Sequence, residues 1–221
     1  MENKLFDFNC DVAQSYGVYN KDNSEFELAK YCSTINISAG FHAGDPMSIS
    51  RAFSYAKEHN VALSAHIGYP DIQGFGKRKI DLTSEELTAV VVYQIGAIVA
   101  YAKTFDLEVE MVRCHGALKD VLNSDEQSAM VIAQAVKKVS PWLNVVVQNQ
   151  KTKELLQQQG VKAALEFEFS SDNTIDEIIS TQKEAGFKID TIHFRNVEDA
   201  KKAYDTLKPA PVNYNRVAAQ V

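Results

Sequence analysis

Short apolar runs alternate with helix-period patterns from one end of the chain to the other. The runs predict strands at Leu5–Asn9, Thr34–Ser38, Val61–His66, Val109–Cys114, Leu143–Gln148, Ala164–Phe169 and Thr191–Phe194. Helical patterns fall between them, near Glu25–Tyr31, Pro46–His59, Ser84–Thr104, Glu126–Val139, Lys151–Gln158, Ile175–Glu184 and Val197–Leu207. Asp45-Pro46 offers a cap followed by proline at the first helical position, and Thr83-Ser84-Glu85-Glu86 puts a cap and two acids in a first turn. Gly160 and Gly186 read as helix stops. Strands alternating with helices imply βα units around a parallel sheet. Periodicity leaves open whether that sheet is doubly wound or closed into a barrel.

No internal repeat, low-complexity tract or linker marks a second domain, so a single domain is expected over residues 1–207. Residues 208–221 carry two prolines and no strong pattern, which predicts an extended tail. A chain of 221 residues suits that reading, since one α/β barrel commonly takes roughly 200–250. The 45% apolar content is enough for a sizeable core.

The net charge of −6 argues against a nucleic-acid partner, which wants a basic stripe, and against an anionic membrane surface. The most apolar stretch, Leu87 to Ala102, is interrupted by Thr88, Gln94 and Gly96. A spanning helix needs about 20 predominantly apolar residues, so a buried core helix is expected there. Met1 to Asn9 has no basic flank with an apolar stretch behind it, and the three cysteines, Cys10, Cys32 and Cys114, lack metal-type spacing. Reduced thiols in a cytoplasmic protein follow as the expectation.

The residues capable of chemistry gather after the predicted strands. Strand one ends in Asn9-Cys10-Asp11, and strand two runs through Asn36 into Gly40-Phe41-His42-Ala43-Gly44-Asp45. Strand three ends at His66 and is followed by Gly68-Tyr69-Pro70-Asp71, and strand four ends Arg113-Cys114-His115-Gly116. Carboxyl ends of parallel strands share one surface, where sites form. Three of the five histidines therefore converge beside Asp11, whereas His59, at a helix end beside Glu58 and Asn60, reads as a surface residue. His193 is assigned no role.

Neutral histidines with an ionised aspartate suit general acid–base work or a divalent metal. No H-x-x-x-H or H-E-x-x-H pattern points to the metal directly. Glycine-rich turns crowd the same surface, but none is a phosphate loop. Cys10 beside Asp11 reads as a buried, inert thiol before it reads as a nucleophile.

Together these segments resemble the LamB/YcsF family of lactam-utilisation proteins, identified with the A-type component of 5-oxoprolinase. The family's opening pattern D-x-N-C-D-x-G-E-S-x-G appears as Asp7 to Gly17, and N-I-A-C-G-F-H-A-G-D-P as Asn36 to Pro46. G-A-H-P-x-Y-P-D-x-x-G-F-G-R-R appears as Ser64 to Arg78, a tyrosine–glutamine segment as Tyr93 to Ala97, and K-P-H-G-A-L-Y as Arg113 to Lys119.

The resemblance implies a seven-stranded parallel β/α barrel like that of the glycoside hydrolases and deacetylases. It also implies ATP-dependent opening of 5-oxoproline to glutamate together with B and C subunits, with ATP bound through the complex. On it, Asp11, His42, His66 and His115 are the expected catalytic groups. Asn9, Asn36, Asp45, Asp71 and Arg78 are the expected substrate or phosphate contacts. A relative that binds a ligand or partner without catalysis, and a stand-alone metal-dependent deacetylase-like hydrolase, are the alternatives.

Several positions depart from the family. Ala13-Gln14 replaces Gly-Glu, removing a carboxylate, and Cys114 and Lys119 replace Pro and Tyr. The F-A-D-R segment after Glu166 is missing, and Ile192-His193-Phe194-Arg195-Asn196-Val197 stands where the family has V-H-G-D-T-P.

Overall fold

The computed structural model describes residues 6–17, 24–170, 174–175, 177–178, 180, 188–207 and 209. Its seven strands are β1 (Asp7–Val12), β2 (Thr34–Ser38), β3 (Ala62–Ile67), β4 (Val109–Cys114), β5 (Asn144–Val147), β6 (Lys162–Glu168) and β7 (Thr191–His193). All neighbours pair in parallel and in chain order, and β7 returns to pair with β1, closing a seven-stranded barrel. Closure answers the question that periodicity left open. Each predicted strand exists; β2 and β4 have the expected ends, and the others differ by at most three residues. Asp11 consequently lies within β1 rather than after it.

The helices are α1 (Ser24–Ala29), α2 (Pro46–His59), α3 (Ser84–Thr104), α4 (Gly116–Ser124), α5 (Glu126–Val139), α6 (Gln150–Gln158) and α7 (Val197–Leu207). Asp45 caps α2 by accepting from Met47 N and Ser48 N, both at 2.9 Å, and Ser48 Oγ accepts in return from Asp45 N. Thr83 and Glu86 make the same reciprocal box on α3. Helix α4 was not expected from the sequence. It opens on a glycine, its N-cap His115 makes no side-chain capping bond, and Asp125 both ends it and caps α5. The ordinary start and stop signals are therefore absent. The helix expected near Ile175–Glu184, Gly186 and the tail expected over 208–221 fall largely outside the described residues.

Strand residues alternate strictly between two environments. Phe8, Cys10 and Val12 of β1, Ile35 and Ile37 of β2, and Leu63, Ala65 and Ile67 of β3 are buried under the helices, packed with Phe53, Ile95, Ile98, Leu118 and Ile132. The other face looks into the barrel, and apart from Met111, Val146 and Ala164 it is largely polar. Asp7 accepts from Thr34 Oγ1 at 2.6 Å and Thr191 Oγ1 at 2.5 Å, and burial raises its pKa despite these bonds. One turn up, Asn9 donates to Thr191 Oγ1 at 2.7 Å and accepts from Asn36 Nδ2 at 2.7 Å. Among the described residues, Met111, Val146 and Ala164 form a separate small apolar cluster away from the sheet–helix layer. The hydrophobic driving force thus acts between sheet and helices, while the lumen is free to hold ionisable groups.

Helix α3 is long and apolar enough to cross a membrane by length and composition. Here it buries Leu87, Val91, Ile95, Ile98 and Ala102 in the core, as the interrupted pattern predicted. Its fully buried Gln94 donates to Gly68 O at 3.0 Å and accepts from Gly68 N at 2.9 Å, pinning the turn after β3. That bond explains the polar interruption.

Candidate active site

The inward faces of β1, β3, β4, β6 and β7 bring one connected set of charged groups to the carboxyl end of the barrel. Asp11 on β1 lies 3.3 Å from His66 Nε2 on β3 and 3.2 Å from Arg113 Nη1 on β4. Arg113 is 3% exposed and grips Glu166 of β6 through two parallel bonds, 2.8 Å from Nε and 2.9 Å from Nη2. His193 on β7 donates from Nδ1 to Asn9 Oδ1 at 2.8 Å, and its Nε2 lies 3.8 Å from Asp11. His66 Nε2 and His115 Nδ1 are 3.1 Å apart. The His42 ring stacks on His115 with centroids 4.2 Å apart and planes 9° apart, and meets His66 edge-on.

The loop that carries Phe75 and Gly76 closes over these rings. Phe75 O takes a hydrogen bond from His115 Nε2 at 2.8 Å, and Gly76 O accepts from Ala117 N at 3.0 Å. Gly116 has φ +52°, and a β-carbon there would stand 2.5 Å from Gly76 O, so only glycine permits this approach. The loop is organised by Asp71, which accepts from Gly74 N at 2.9 Å and forms an ion pair with Arg78.

Burial penalises ionisation of Asp11, yet His66, the fixed Arg113 cation and His193 outweigh it and hold the carboxyl well below the usual range. Glu166 is likewise opposed by burial and is brought down to about 2 by Arg113 and His193. Burial drives the histidines the other way: His115 falls to about 3, His193 to about 4, and His42 well below its ordinary value. At neutral pH the site therefore combines ionised carboxylates, a buried guanidinium, and His42, His115 and His193 as neutral imidazoles.

A cavity of about 500 Å³ opens onto this network, lined by Asp11, Gln14, Glu25, Phe75, Lys77, Arg113, His115, Lys119, His193 and Arg195 among others. Lys119 and Arg195 both pair with Glu168, the latter at 2.6 Å. A larger depression of about 620 Å³, walled by Val99, Leu107, Val109 and Trp142, lies at the amino-terminal starts of β4 and β5, away from every one of these groups.

Of the residues singled out from the sequence, Asp11, His42, His66, His115, Asn9 and Asn36 come together. Asp45, Asp71 and Arg78 do not line the cavity, and their side chains serve the α2 cap and the 71–78 loop. Sequence reasoning missed Arg113, Glu166, Glu168 and His193. The available signal was the strict alternation of the strands, which places each on the same face as Asp11. Cys10 is fully buried with its thiol pushed well up by Cys32 and by burial, which fits an inert role.

Ala13 adopts φ +57°, a left-handed conformation, at the position where the resembled family carries glycine. Such a conformation costs a non-glycine residue roughly 1–2 kcal/mol. Ala13→Gly is accordingly expected to raise stability by about 1 kcal/mol, read as a higher denaturant midpoint. An unchanged midpoint would show that the surrounding bonds from Ala13 N and Gln14 N to Glu25 absorb the strain.

A closed β/α barrel with a buried histidine–carboxylate–arginine network at its carboxyl mouth defines the class of protein. The chain belongs to the LamB/YcsF family, whose sequence pattern matches residues 6–190. It is 34% identical over 209 residues to the A-type component of 5-oxoprolinase from Natranaerobius thermophilus, covering 93% of this chain and 81% of that one. It is 42% identical over 140 residues to the Geobacillus kaustophilus protein of the same name, covering 63% of this chain and 54% of that one. The chain thus spans between about half and four fifths of these curated relatives. The crystal structure of the lactam utilization protein from Thermus thermophilus superposes with a TM-score of 0.79 at 29% identity, over 93% of this chain and 98% of that one.

Proposed function

We propose that this chain is the A-type component of a cytoplasmic, ATP-dependent 5-oxoprolinase that opens the lactam of 5-oxoproline to glutamate in complex with B and C subunits, with ATP bound through the complex. The observation that carries the reading is the cavity. Its floor presents Asp11, Arg113 and His115, and its rim presents Lys77, Lys119 and Arg195. A small cyclic amide bearing a carboxylate suits that lining, because the cations can hold the carboxylate while the amide reaches the floor. In this reading Asp11 and the neutral histidines orient water and handle its proton at the amide carbonyl. Asn9 and Asn36 hold Asp11 and His193 in place. Asp45, Asp71 and Arg78 then act by shaping the loops around the mouth.

Gln14 favours a second reading, in which the chain binds a lactam without turning it over. It lines the cavity where the family carries a carboxylate, and a neutral amide takes no proton near pH 7. The test combines the chain with B and C subunits from its own source and follows ATP-dependent 5-oxoproline cleavage. Substantial turnover supports the proposal, and binding of 5-oxoproline with no turnover supports the second reading. Gln14→Glu is expected to raise turnover by about 10-fold or more, a barrier change of ~1.4 kcal/mol. Equal, high turnover in both proteins would show that position 14 handles no proton.

A further inference from the structure

We propose that His42, His66 and His115 form a binding site for a divalent transition metal of the zinc type, open on one side to the cavity. His66 on β3 and His115 just after the neighbouring β4 stand side by side at the barrel mouth. His66 Nδ1 lies 3.2 Å from the Arg113 carbonyl oxygen, and His115 Nε2 lies 2.8 Å from that of Phe75. A carbonyl only accepts, so each of these nitrogens carries the proton it donates. The opposite nitrogens, His66 Nε2 and His115 Nδ1, then turn lone pairs toward each other at 3.1 Å, with Asp11 Oδ2 another acceptor 3.3 Å from His66 Nε2. Arg113 Nη1 reaches Asp11 Oδ2 at 3.5 Å, but between the two facing imidazole nitrogens acceptors converge. A cation is what makes such an arrangement attractive.

One proton could bridge the His66–His115 pair, but it would leave the third ring unexplained. His42 is 1% exposed, and neither of its ring nitrogens has a hydrogen-bond partner among the described residues. A buried imidazole without a partner is costly, and such groups in native proteins call for a ligand or ion. One nitrogen from each of the three histidines lies within 4.8 Å of the others, which a single metal ion can gather and a single proton cannot.

The chemistry of the donors agrees. Imidazole suits zinc and its neighbours, and metal-bound histidines characteristically donate their second N–H to a backbone carbonyl, as His66 and His115 do. Zinc–nitrogen bonds of ~2.0–2.1 Å in a tetrahedron put ligand atoms about 3.3 Å apart, close to the spacing at His66 and His115. Three protein ligands leave the fourth position free, and His115 lines the cavity from which a small molecule would reach it. The metal would sit at the same barrel mouth as the proposed lactam chemistry. Its uptake is measured without turnover, so either idea can fail while the other stands.

The test uses tag-free protein stripped with a chelator and titrated with Zn²⁺ by calorimetry and with Co²⁺ by visible absorption. One equivalent of each is expected to bind, with Co²⁺ giving the intense visible bands of a four-coordinate site. His42→Ala and His115→Ala are each expected to weaken binding by more than ~100-fold, since even outer-shell changes at metal sites cost 10–100-fold. His59→Ala, at an exposed ring, should leave it unchanged. Failure of the wild-type protein to take up a stoichiometric equivalent would overturn the proposal, as would wild-type affinity in a folded His42→Ala/His115→Ala protein. Should those variants not fold, the imidazole ¹⁵N shifts of the wild-type chain decide: zinc-induced shifts at the three buried rings support the site, and shifts confined to His59 refute it.

Discussion

Replacing Arg113 with methionine is expected to destabilise the protein by about 3–5 kcal/mol at neutral pH. Arg113 is 3% exposed and holds two parallel bonds to the fully buried Glu166 carboxylate, with Asp11 at 3.2 Å and Glu168 at 3.5 Å. Methionine keeps much of the volume but leaves those carboxylates buried without their cation. Removing one member of such a set costs more than the set itself contributes, because the remaining charge keeps its desolvation penalty. Gln148 Nε2 and Asn9 Nδ2 still reach Glu166, at 3.0 and 3.2 Å, but neither supplies a charge.

The same variant has a defined pH signature. Glu166 titrates at about 2 in the folded protein against an ordinary 4.5. A depressed folded pKa contributes stability above the unfolded value, and that contribution disappears as pH falls through the folded value. The wild type therefore loses this contribution between about 4.5 and about 2. Arg113→Met never has it. The gap between the two proteins should be widest near pH 7 and narrow through that acid window, measured by denaturant unfolding at pH 7, 5 and 3. A gap that is constant with pH would mean that packing, not the guanidinium, is what Arg113 supplies.

His115→Ala is expected to reduce 5-oxoproline turnover by ~10²–10⁴-fold in the assembled complex, the usual contribution of a positioned acid–base group. His115 both lines the cavity and contacts His66 at 3.1 Å, so among His42, His66 and His115 it is the imidazole placed to meet a ligand directly. Its packing also holds the 71–78 loop through the bond to Phe75 O, so melting temperature and 5-oxoproline binding must be followed alongside. Loss of turnover with binding retained supports a chemical role. Parallel loss of binding and melting temperature would reassign His115 to holding the loop. His59→Ala should change none of the three, because that ring is exposed and its hydrogen bond is to Tyr55 O in its own helix. His193 is not a neutral comparison, since it is buried against Asn9 and Asp11.

The chemical character of each element was legible because it depends on local order. The βα alternation gave all seven strands and the parallel sheet, and the caps at Asp45 and Thr83 gave the starts of α2 and α3. The motifs around Asp11, His42, His66 and His115 named the core of the site, because parallel strands send their carboxyl ends to one surface. The break at Gln94 correctly marked α3 as a core helix, although the reason, a clamp on Gly68, required the fold. Helix α4 escaped because it lacks a capping side chain at its start.

Tertiary structure alone decided which side of each strand is the ionic one and what its charges meet. Arg113 and Glu166 are 53 residues apart, and Asn9 and His193 are 184 apart. No local pattern pairs them. Closure between β7 and β1 does, by turning the polar half of every alternating strand into a shared lumen. A period of two fixes only that two faces differ. Whether the polar face meets water or the facing strands depends on the barrel closing, and here closure gathers Asp11, Arg113, Glu166 and His193 into the buried network that sets the charge state of the site.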